Sequence, residues 1–273
     1  MRQATALDSV FSANRSAGRI ALTVAAEGGI TRRRKVYEDG PLRIRFPNSS
    51  SRMLDAVIVN TAGGIAGGDR HALDIGVMDG AALTVTTAAA EKIYRALGPD
   101  AEIAVRLAAG VGARLAWLPQ ETILFDRARL RRGIEVELAS DATLLMAEAV
   151  VFGRSAMGEA VEEGLFTDRW RVRRDGRLVF AETVLLGGAI ADKLLEPAVA
   201  GGGVAIATVL AVPGDLGMVE RVRSQTFCGE VGVSAWNGLA VARLCAKDDA
   251  SLRRDLVSVV AALGGTLPRL WLN

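Results

Sequence analysis

Apolar and polar residues alternate along much of this chain, a pattern that is typical of β-strands. Alternating runs cover residues 20–24, 42–46 and 73–77, and a continuous apolar run covers residues 56–59. Successive side chains of a strand point to opposite faces, so each alternating run predicts a strand with one buried face. The pattern therefore predicts a mainly β protein.

Three pairs of runs recur with one layout, and their turns are marked by Gly80, Gly112 and Asp141, which lie 32 and 29 residues apart. A period near 30 residues indicates stacked β units that bury each other's faces. We interpret each pair as a hairpin, so the expected fold is a stack of hairpins that resembles a β-solenoid or β-helix. The pairs are residues 73–77 with 82–85, 103–107 with 114–117, and 134–138 with 143–146.

Two further turns are strong hairpin signals, Asp175-Gly176 and Asn237-Gly238. Helical signals are confined to a few segments of the C-terminal third. Residues 216–224 predict a short helix, and residues 249–263 predict an amphipathic helix that ends at Gly264. Its apolar stripe is interpreted as core packing.

Length and composition restrict the classes of protein. We expect residues 1–273 to form a single domain. The 33 basic and 31 acidic residues give a net charge of +2, and the basic run at residues 32–35 reads as a solvated loop. No nucleic-acid partner is therefore expected.

The chain is half apolar, with a mean hydropathy of +0.26. No run reaches the ~18 apolar residues of a membrane span, so no membrane association is expected. The apolar surplus fits either a patch that a partner covers or a large core rich in Ala and Val. The first residues do not read as a secretory signal, and Cys228 and Cys245 are expected to be small core residues in a reduced cytoplasm.

A glycine-rich stretch at residues 60–70 stands between two predicted strands. Gly63 and Gly68 have the spacing of a phosphate loop, but Asp69 and Arg70 follow where Lys and Ser or Thr belong. We therefore expect no nucleotide there, and a simple turn between strands remains open.

The chemistry of common catalytic sites is absent from the sequence. His71 is the only histidine, and residues 153–158 have one residue too many for the Gly-x-Ser-x-Gly motif, so a serine hydrolase is not expected. One His and two scattered Cys cannot supply the four ligands of a structural zinc site. The connections between the predicted units carry acids that could lie in a common region or be separately solvated. They are Asp69, Glu91, Glu121, Asp126 and Glu148.

Several long motifs, in order, resemble the UreD (also called UreH) family of urease accessory proteins. They begin with Asn-Thr-Ala-Gly-Gly-Ile-Ala-Gly-Gly-Asp at 60–69 and include Trp-Leu-Pro-Gln-Glu-Thr-Ile-Leu-Phe-Asp at 117–126. The others are residues 86–95, 153–159, 168–172 and 268–271. The resemblance covers the chain from about Gly40 onward.

The resemblance implies a non-enzymatic, cytoplasmic metallochaperone scaffold. Such a protein binds apo-urease and the accessory protein UreF, and through UreF the GTPase UreG. It helps to deliver nickel(II) to the urease active site through a water-filled internal passage, and it holds no tightly bound cofactor. The resemblance does not say which side chains contact nickel, which surface binds UreF, or in what stoichiometry the complex forms.

By position in the motifs, the five acids named above, Asp69, Glu91, Glu121, Asp126 and Glu148, are candidates for lining that passage. Lys92, Tyr94 and Arg95 are candidates for supporting it or for binding a partner. Two positions depart from the family pattern: Ala88 stands where Gln is expected, and Arg127 where Gly is common. These departures concern the local geometry of the loops.

Two other hypotheses remain from the residues. A carboxylate-based hydrolase could use Glu121 and Asp126 on a β-solenoid, in which case the isolated chain would turn over a substrate. A purely structural interpretation makes the glycine stretch a turn and the acids surface solvation. In that case Asp69→Ala and Glu148→Ala would leave urease activation intact.

Overall fold

The computed structural model describes residues 15–48, 53–154 and 157–272, and these form two β-sheets that pack face to face. In spatial order the seven-stranded sheet contains β14 (Arg177–Ala189), β13 (Glu163–Arg174), β11 (Arg129–Leu138), β8 (Ala101–Ala109), β5 (Arg70–Val77), β1 (Ala17–Glu27) and β2 (Ile30–Asp39). The ten-stranded sheet contains β16 (Glu230–Trp236), β17 (Leu239–Ala246), β15 (Ala205–Val212), β12 (Thr143–Phe152), β9 (Arg114–Trp117), β6 (Ala82–Thr87), β4 (Leu54–Asn60) and β3 (Leu42–Arg45), with β10 (Thr122–Leu124) beside β12 and β7 (Glu91–Ile93) beside β10.

The middle of the molecule is a stack of parallel strands. In one sheet β1, β5, β8, β11 and β13 pair in parallel, and in the other β4, β6, β9 and β12 do so. The predicted solenoid-like stacking is therefore confirmed. The three repeated turns do not close hairpins, however, because each one leads from a strand of one sheet to a strand of the other. Alternation along the chain could not distinguish these two geometries.

True hairpins occur where the sequence signals are strongest. β13 and β14 pair in antiparallel fashion around Asp175-Gly176, and β16 and β17 do so around Asn237-Gly238. All four turn residues have positive φ, between 49° and 76°. This geometry belongs to the two-residue turn that the Asp-Gly and Asn-Gly dipeptides favour.

The main core fills the space between the sheets. The alternation of β5 sends Leu73, Ile75 and Val77 inward, where they meet residues such as Trp117 and Met146 from the opposite sheet. A second core, rich in Ala and Val, lies on the outer face of the ten-stranded sheet beneath the C-terminal helix. Much of the apolar surplus is therefore used in packing.

Three helices follow the solenoid: α1 (Ile190–Leu195), α2 (Leu216–Arg223) and α3 (Asp249–Ala262), before a 3-10 turn (Arg269–Trp271). Asp248 caps α3 by accepting a hydrogen bond from the Ser251 amide. The apolar stripe of α3 packs on β15 and β17. The predicted helices at 216–224 and 249–263 are confirmed, whereas α1 was not predicted. No helix of the described residues is long and apolar enough to cross a membrane.

Besides the three hairpins, two sequence-based expectations are wrong. The basic run at residues 32–35 forms part of the edge strand β2 rather than a loop, although its side chains are exposed as expected. Cys228 is exposed and Cys245 only half-buried, so neither is a core residue. Cys228 lies in the link before β16, and its amide is held by Asp255.

Candidate functional site

A charged side chain lies at the centre of an apolar strand face. The inward positions of β11 are Leu130, Arg132, Ile134, Val136 and Leu138, and all of them are buried. The strand's alternation thus carries the Arg132 guanidinium between the sheets, where it is 6% exposed. A buried charge at such a depth requires counter-ions and hydrogen-bond acceptors.

Two carboxylates satisfy Arg132. Asp168 is its register partner on β13 and binds it through both oxygens, with Nε–Oδ1 at 3.0 Å and Nη2–Oδ2 at 2.6 Å. Glu148 reaches Arg132 from β12 in the opposite sheet, with Nη1–Oε2 at 2.5 Å, and its Oε1 accepts a hydrogen bond from Trp117 Nε1 at 2.7 Å. We call Arg132, Glu148 and Asp168 the buried triad, and it ties the two sheets together.

The triad holds one cation against two carboxylates. Burial raises the pKa of Glu148 to about 7, because Arg132 lowers it less than desolvation and the neighbouring Asp168 charge raise it. Burial alone would lower the pKa of Arg132, but the two carboxylates raise it overall, so the guanidinium stays charged. The triad can therefore take up or release a proton at Glu148 near neutral pH.

The polar row continues beyond the triad along β10 and β7. Arg132 Nη1 donates to Thr122 Oγ1 at 3.3 Å, and Thr122 pairs in register with Glu91 on β7. Register partners in parallel strands point to the same face, so Glu91 is turned toward the same interior. Its Oε1 accepts a hydrogen bond from Asn60 Nδ2 at 3.0 Å, and burial raises the pKa of Glu91 to about 7.

On the other side of the triad, a cavity of about 20 Å³ is lined in part by Glu148, Asp168, Glu182 and Thr208. This volume holds about one water molecule. Glu182 Oε2 is buried there without a hydrogen-bond partner among the described residues, while Arg243 contacts Oε1 at 3.0 Å. The cavity shares Glu182 and Thr208 with a groove of about 370 Å³.

A line of polar side chains thus lies between the sheets, and we call it the interior carboxylate row. It consists of Glu91, Thr122, the buried triad and Glu182. Its Glu182 end adjoins the groove, whose wall includes the half-buried Cys245 and the partly exposed Val199. Polar side chains are thus placed in an otherwise apolar core between the groove at Glu182 and Glu91.

Comparison with known proteins decides the family. The model of the UreD urease accessory protein family matches residues 16–272. A urease accessory protein UreD of Bradyrhizobium diazoefficiens is 58% identical over 267 residues, covering 97% of each chain, and that of Rhodopseudomonas palustris strain CGA009 is 57% identical over 266 residues, covering 96% of this chain and 95% of the relative. This chain belongs to the UreD family. The resemblance inferred from the motifs is therefore confirmed, together with the role of urease accessory protein.

Only two of the five candidate acids of the UreD-type motifs, Glu91 and Glu148, belong to the interior carboxylate row. Asp69 is used within the glycine loop, where its oxygens accept hydrogen bonds from the amides of Ser16 and Ala66, both at 2.8 Å. Asp69 therefore stabilises the conformation of the glycine loop that precedes it.

The other two acids lie in separate interactions. Glu121 pairs with Arg253 of α3 at 2.6 Å, and Asp126 Oδ1 accepts hydrogen bonds from the amides of Glu162 and Glu163 at 2.9 and 3.2 Å. Across residues 15–48, 53–154 and 157–272, no three Asp, Glu, His or Cys side chains are grouped as a metal site. That all five acids line a nickel passage stays a prediction.

Two of the three supporting candidates contact the glycine loop, since Ile65 N donates to Lys92 O and Tyr94 N donates to Ile65 O, both at 2.8 Å. Tyr94 donates its hydroxyl hydrogen to Gly63 O at 2.9 Å, and its ring packs edge-on against Phe125. A Cβ at Gly64 would lie 2.4 Å from the Tyr94 ring, so a glycine is needed for this contact. Lys92 and Arg95 are exposed. Tyr94 thus has a packing role, and a partner role for the three stays a prediction.

Sequence reasoning missed Arg132, Asp168, Trp117 and Glu182 as members of the site. A signal existed: Arg132 and Asp168 fall at the apolar phase of their strands, in line with Ile134 and with Phe166 and Trp170. A charge in the phase of the core predicts a buried ion pair when two such strands are neighbours.

Proposed function

We propose that this UreD-family protein is a non-enzymatic scaffold of the cytoplasm that binds apo-urease and UreF, and through UreF the GTPase UreG. In this complex it helps to deliver nickel(II) to the urease active site. Family membership supports the accessory role. Nickel is a cargo in this proposal, and no tightly bound cofactor is required.

The observation that carries the cargo role is the interior carboxylate row. Glu91, Glu148 and Glu182 bring carboxyl oxygens into an otherwise apolar core, and a groove adjoins the row at Glu182. A core built for stability alone gains little from such groups, because their desolvation costs as much as their pairing returns.

The chemistry of the row fits a transient cation. Isolated carboxylate oxygens bind a divalent ion more weakly than a closed set of imidazoles or thiolates, so the ion can leave as well as enter. Because the pKa values of Glu91 and Glu148 lie at about 7, each side chain can exchange a proton for a cation at neutral pH. Arg132 keeps the row from carrying excess negative charge when it is empty.

The first experiment measures urease activity in cells that carry the urease operon without this gene, complemented with the wild-type gene. We expect activity only in the complemented cells. Full urease activity in the deletion strain at ordinary nickel concentrations would overturn the proposal.

The second experiment tests the row itself with Glu91→Gln combined with Glu182→Gln, which keep the shapes of the side chains but remove their charges. We expect urease activation to fall about tenfold or more while apo-urease and UreF still bind, since each neutral amide is a poorer cation ligand. The matched control is Glu220→Gln, an exposed carboxylate on α2, which should activate like the wild type. Normal activation by the double variant would show that the row does not carry nickel.

A further inference from the structure

The outer face of the seven-stranded sheet has no helix packed on it in the described part of the chain. α2 and α3 pack against β15, β16 and β17 of the other sheet, and α1 lies at β13 and β14. The outward positions of β1, β5, β8 and β11 are exposed or half-buried. They form a broad sheet face in the middle of the molecule.

Arginines dominate the charge of this face, and they are arranged in a repeated way. Each of three carboxylates is shared by two arginines. This leaves one positive charge in surplus at Asp74 and at Asp100, whereas at Glu135 the second arginine, Arg173, also pairs with Glu137 at 3.5 Å. The groups are Arg19 and Arg106 on Asp74, at 2.9 and 3.3 Å; Arg129 and Arg131 on Asp100, at 2.5 and 2.6 Å; and Arg169 and Arg173 on Glu135, at 2.5 and 3.2 Å. We call these nine residues the arginine face.

Six arginines against four carboxylates, with Glu137 included, give this group a surplus of +2, which equals the net charge of the whole chain. Arg106 is 70% exposed and Arg169 50% exposed, so their guanidinium groups keep donors available for a partner's acids.

A row of small residues crosses the centre of the arginine face. Ala72, Ala104 and Gly133 are register partners on β5, β8 and β11. A Cβ at Gly133 would meet no atom within 4 Å, so the packing of this chain does not require a glycine there. An outward glycine in the middle of a strand is unfavourable unless another surface approaches closely.

We propose that the arginine face is a docking surface for an acidic protein surface, with Gly133 at the centre of the contact. The inference rests on the proposed function, because it names the side of the scaffold that a urease-maturation partner covers. Five strands, each ~4.8 Å wide, and eight residues of ~3.3 Å each give roughly 630 Å². This area lies at the lower end of the ~600–1,000 Å² that each partner buries in a specific interface.

The charge arrangement selects the class of partner. A second copy of this chain would present the same positive surplus and be repelled. Each arginine already shares a carboxylate, and the seven-stranded sheet presents no row of exposed aromatics along these arginines for base stacking, so a nucleic acid is disfavoured. A protein surface whose acids can replace or join Asp74 and Asp100 satisfies the surplus charge at these two groups.

The test compares the binding of purified apo-urease and of purified UreF to the full-length chain. One variant is Gly133→Trp, which places a large side chain at the centre, where a Cβ would meet no atom within 4 Å. The other is Arg106→Glu with Arg169→Glu, which reverses two charges. The matched control is Arg223→Glu with Arg254→Glu on α2 and α3, and thermal melts confirm that each variant is folded.

We expect wild type and control to bind at least one of the two proteins with an affinity that falls as salt rises. Gly133→Trp should weaken that binding at least tenfold. The double reversal should slow association about tenfold at low salt and remove most of the salt dependence.

The outcomes separate the two proposals. If wild type binds and both variants bind equally well, the arginine face is only a set of solvent-exposed ion pairs, and the inference is overturned. If wild type binds neither protein, the proposed function fails and the inference falls with it. If a 20-base-pair DNA duplex binds instead and the double reversal removes that binding, the acidic-protein version is wrong.

Discussion

Arg127 has a φ of 59°, in the left-handed region that glycine adopts without cost and other residues occupy rarely. At this position the family pattern predicts Gly. The backbone has a conformation that suits glycine, so the Arg side chain brings strain. Its amide still donates to Glu163 O at 2.8 Å, which holds the turn in place.

Substitution at Arg127 should depend on the shape of the new side chain. We expect Arg127→Val to lower the free energy of unfolding by about 1–2 kcal/mol, because a β-branched residue is poorly tolerated at positive φ. Arg127→Gly should change it by less than about 1 kcal/mol, since relief of strain is offset by a more flexible unfolded chain. Urea denaturation measures both, and equal effects of the two variants would contradict this explanation.

His71 gives a pH dependence that can be isolated, because it is the only histidine. Burial lowers its pKa, the nearby Asp69 only partly offsets this, and its Nε2 has no hydrogen-bond partner among the described residues. A folded-state pKa below that of the unfolded chain gives stability that is present above about pH 6.5 and lost as pH falls. Wild type should therefore lose stability between pH 7 and 5 more steeply than His71→Leu, as measured by urea denaturation. Parallel curves would refute this.

The residues of the interior carboxylate row show where sequence reasoning stops. Glu91 and Glu148 were found through motifs, but Arg132 and Asp168 were not, because charged residues in a strand are read as solvent-facing. Their burial depends on which strands become neighbours across two sheets. Alternation along one strand does not contain that information.

At the scale of elements, alternation predicted the strands with one buried face, including β5, β8 and β11, and end signals predicted α2 and α3. β2 was missed because it is exposed along most of both faces, so it has no alternation to detect. α1, with six residues, is too short for a helical period to stand out. The repeat predicted stacking but not that each turn changes sheet.

Helix α3 is fastened to the start of β16 by one buried side chain. Asp255 accepts hydrogen bonds from the amides of Cys228 and Gly229 at 2.8 and 2.7 Å. Asp255→Ala leaves both donors unpaired, and we expect it to lower the free energy of unfolding by about 2–4 kcal/mol. Asp255→Asn should cost less, because one acceptor oxygen remains. The exposed Arg254→Ala is the control in the same denaturation series, and a loss equal to that of the control would contradict the role of Asp255.

At the scale of the whole molecule, the buried triad adds an ionic link between two sheets that otherwise pack through apolar side chains. Arg132→Gln should destabilise the protein by about 3–5 kcal/mol, because it leaves two carboxylates buried without a cation. Adding Glu148→Gln and Asp168→Asn should recover a large part of that loss. A triple variant that is less stable than Arg132→Gln in guanidinium denaturation would show that hydrogen-bond geometry, not charge, dominates the triad.

The raised pKa of Glu91 changes stability with pH in the direction opposite to the lowered pKa of His71. The pKa of Glu91 is raised from 4.5 to about 7, so the folded chain keeps a proton that the unfolded chain releases. Its contribution is therefore present below about pH 4.5 and lost as pH rises toward 7. Relative to wild type, Glu91→Gln should gain up to about 3 kcal/mol between pH 4.5 and 7. A difference between the two proteins that does not vary with pH would disprove the shift.

The edge strand β2 has a consequence for how copies of this protein behave at high concentration. It is the last strand of its sheet among the described strands, so its outer backbone groups are open to another extended chain. Four consecutive cations, Arg32 to Lys35, lie on that edge. Because these positive charges repel each other, two such edges do not pair through their backbones. The stack of parallel strands is thereby protected from edge-to-edge assembly into fibrils.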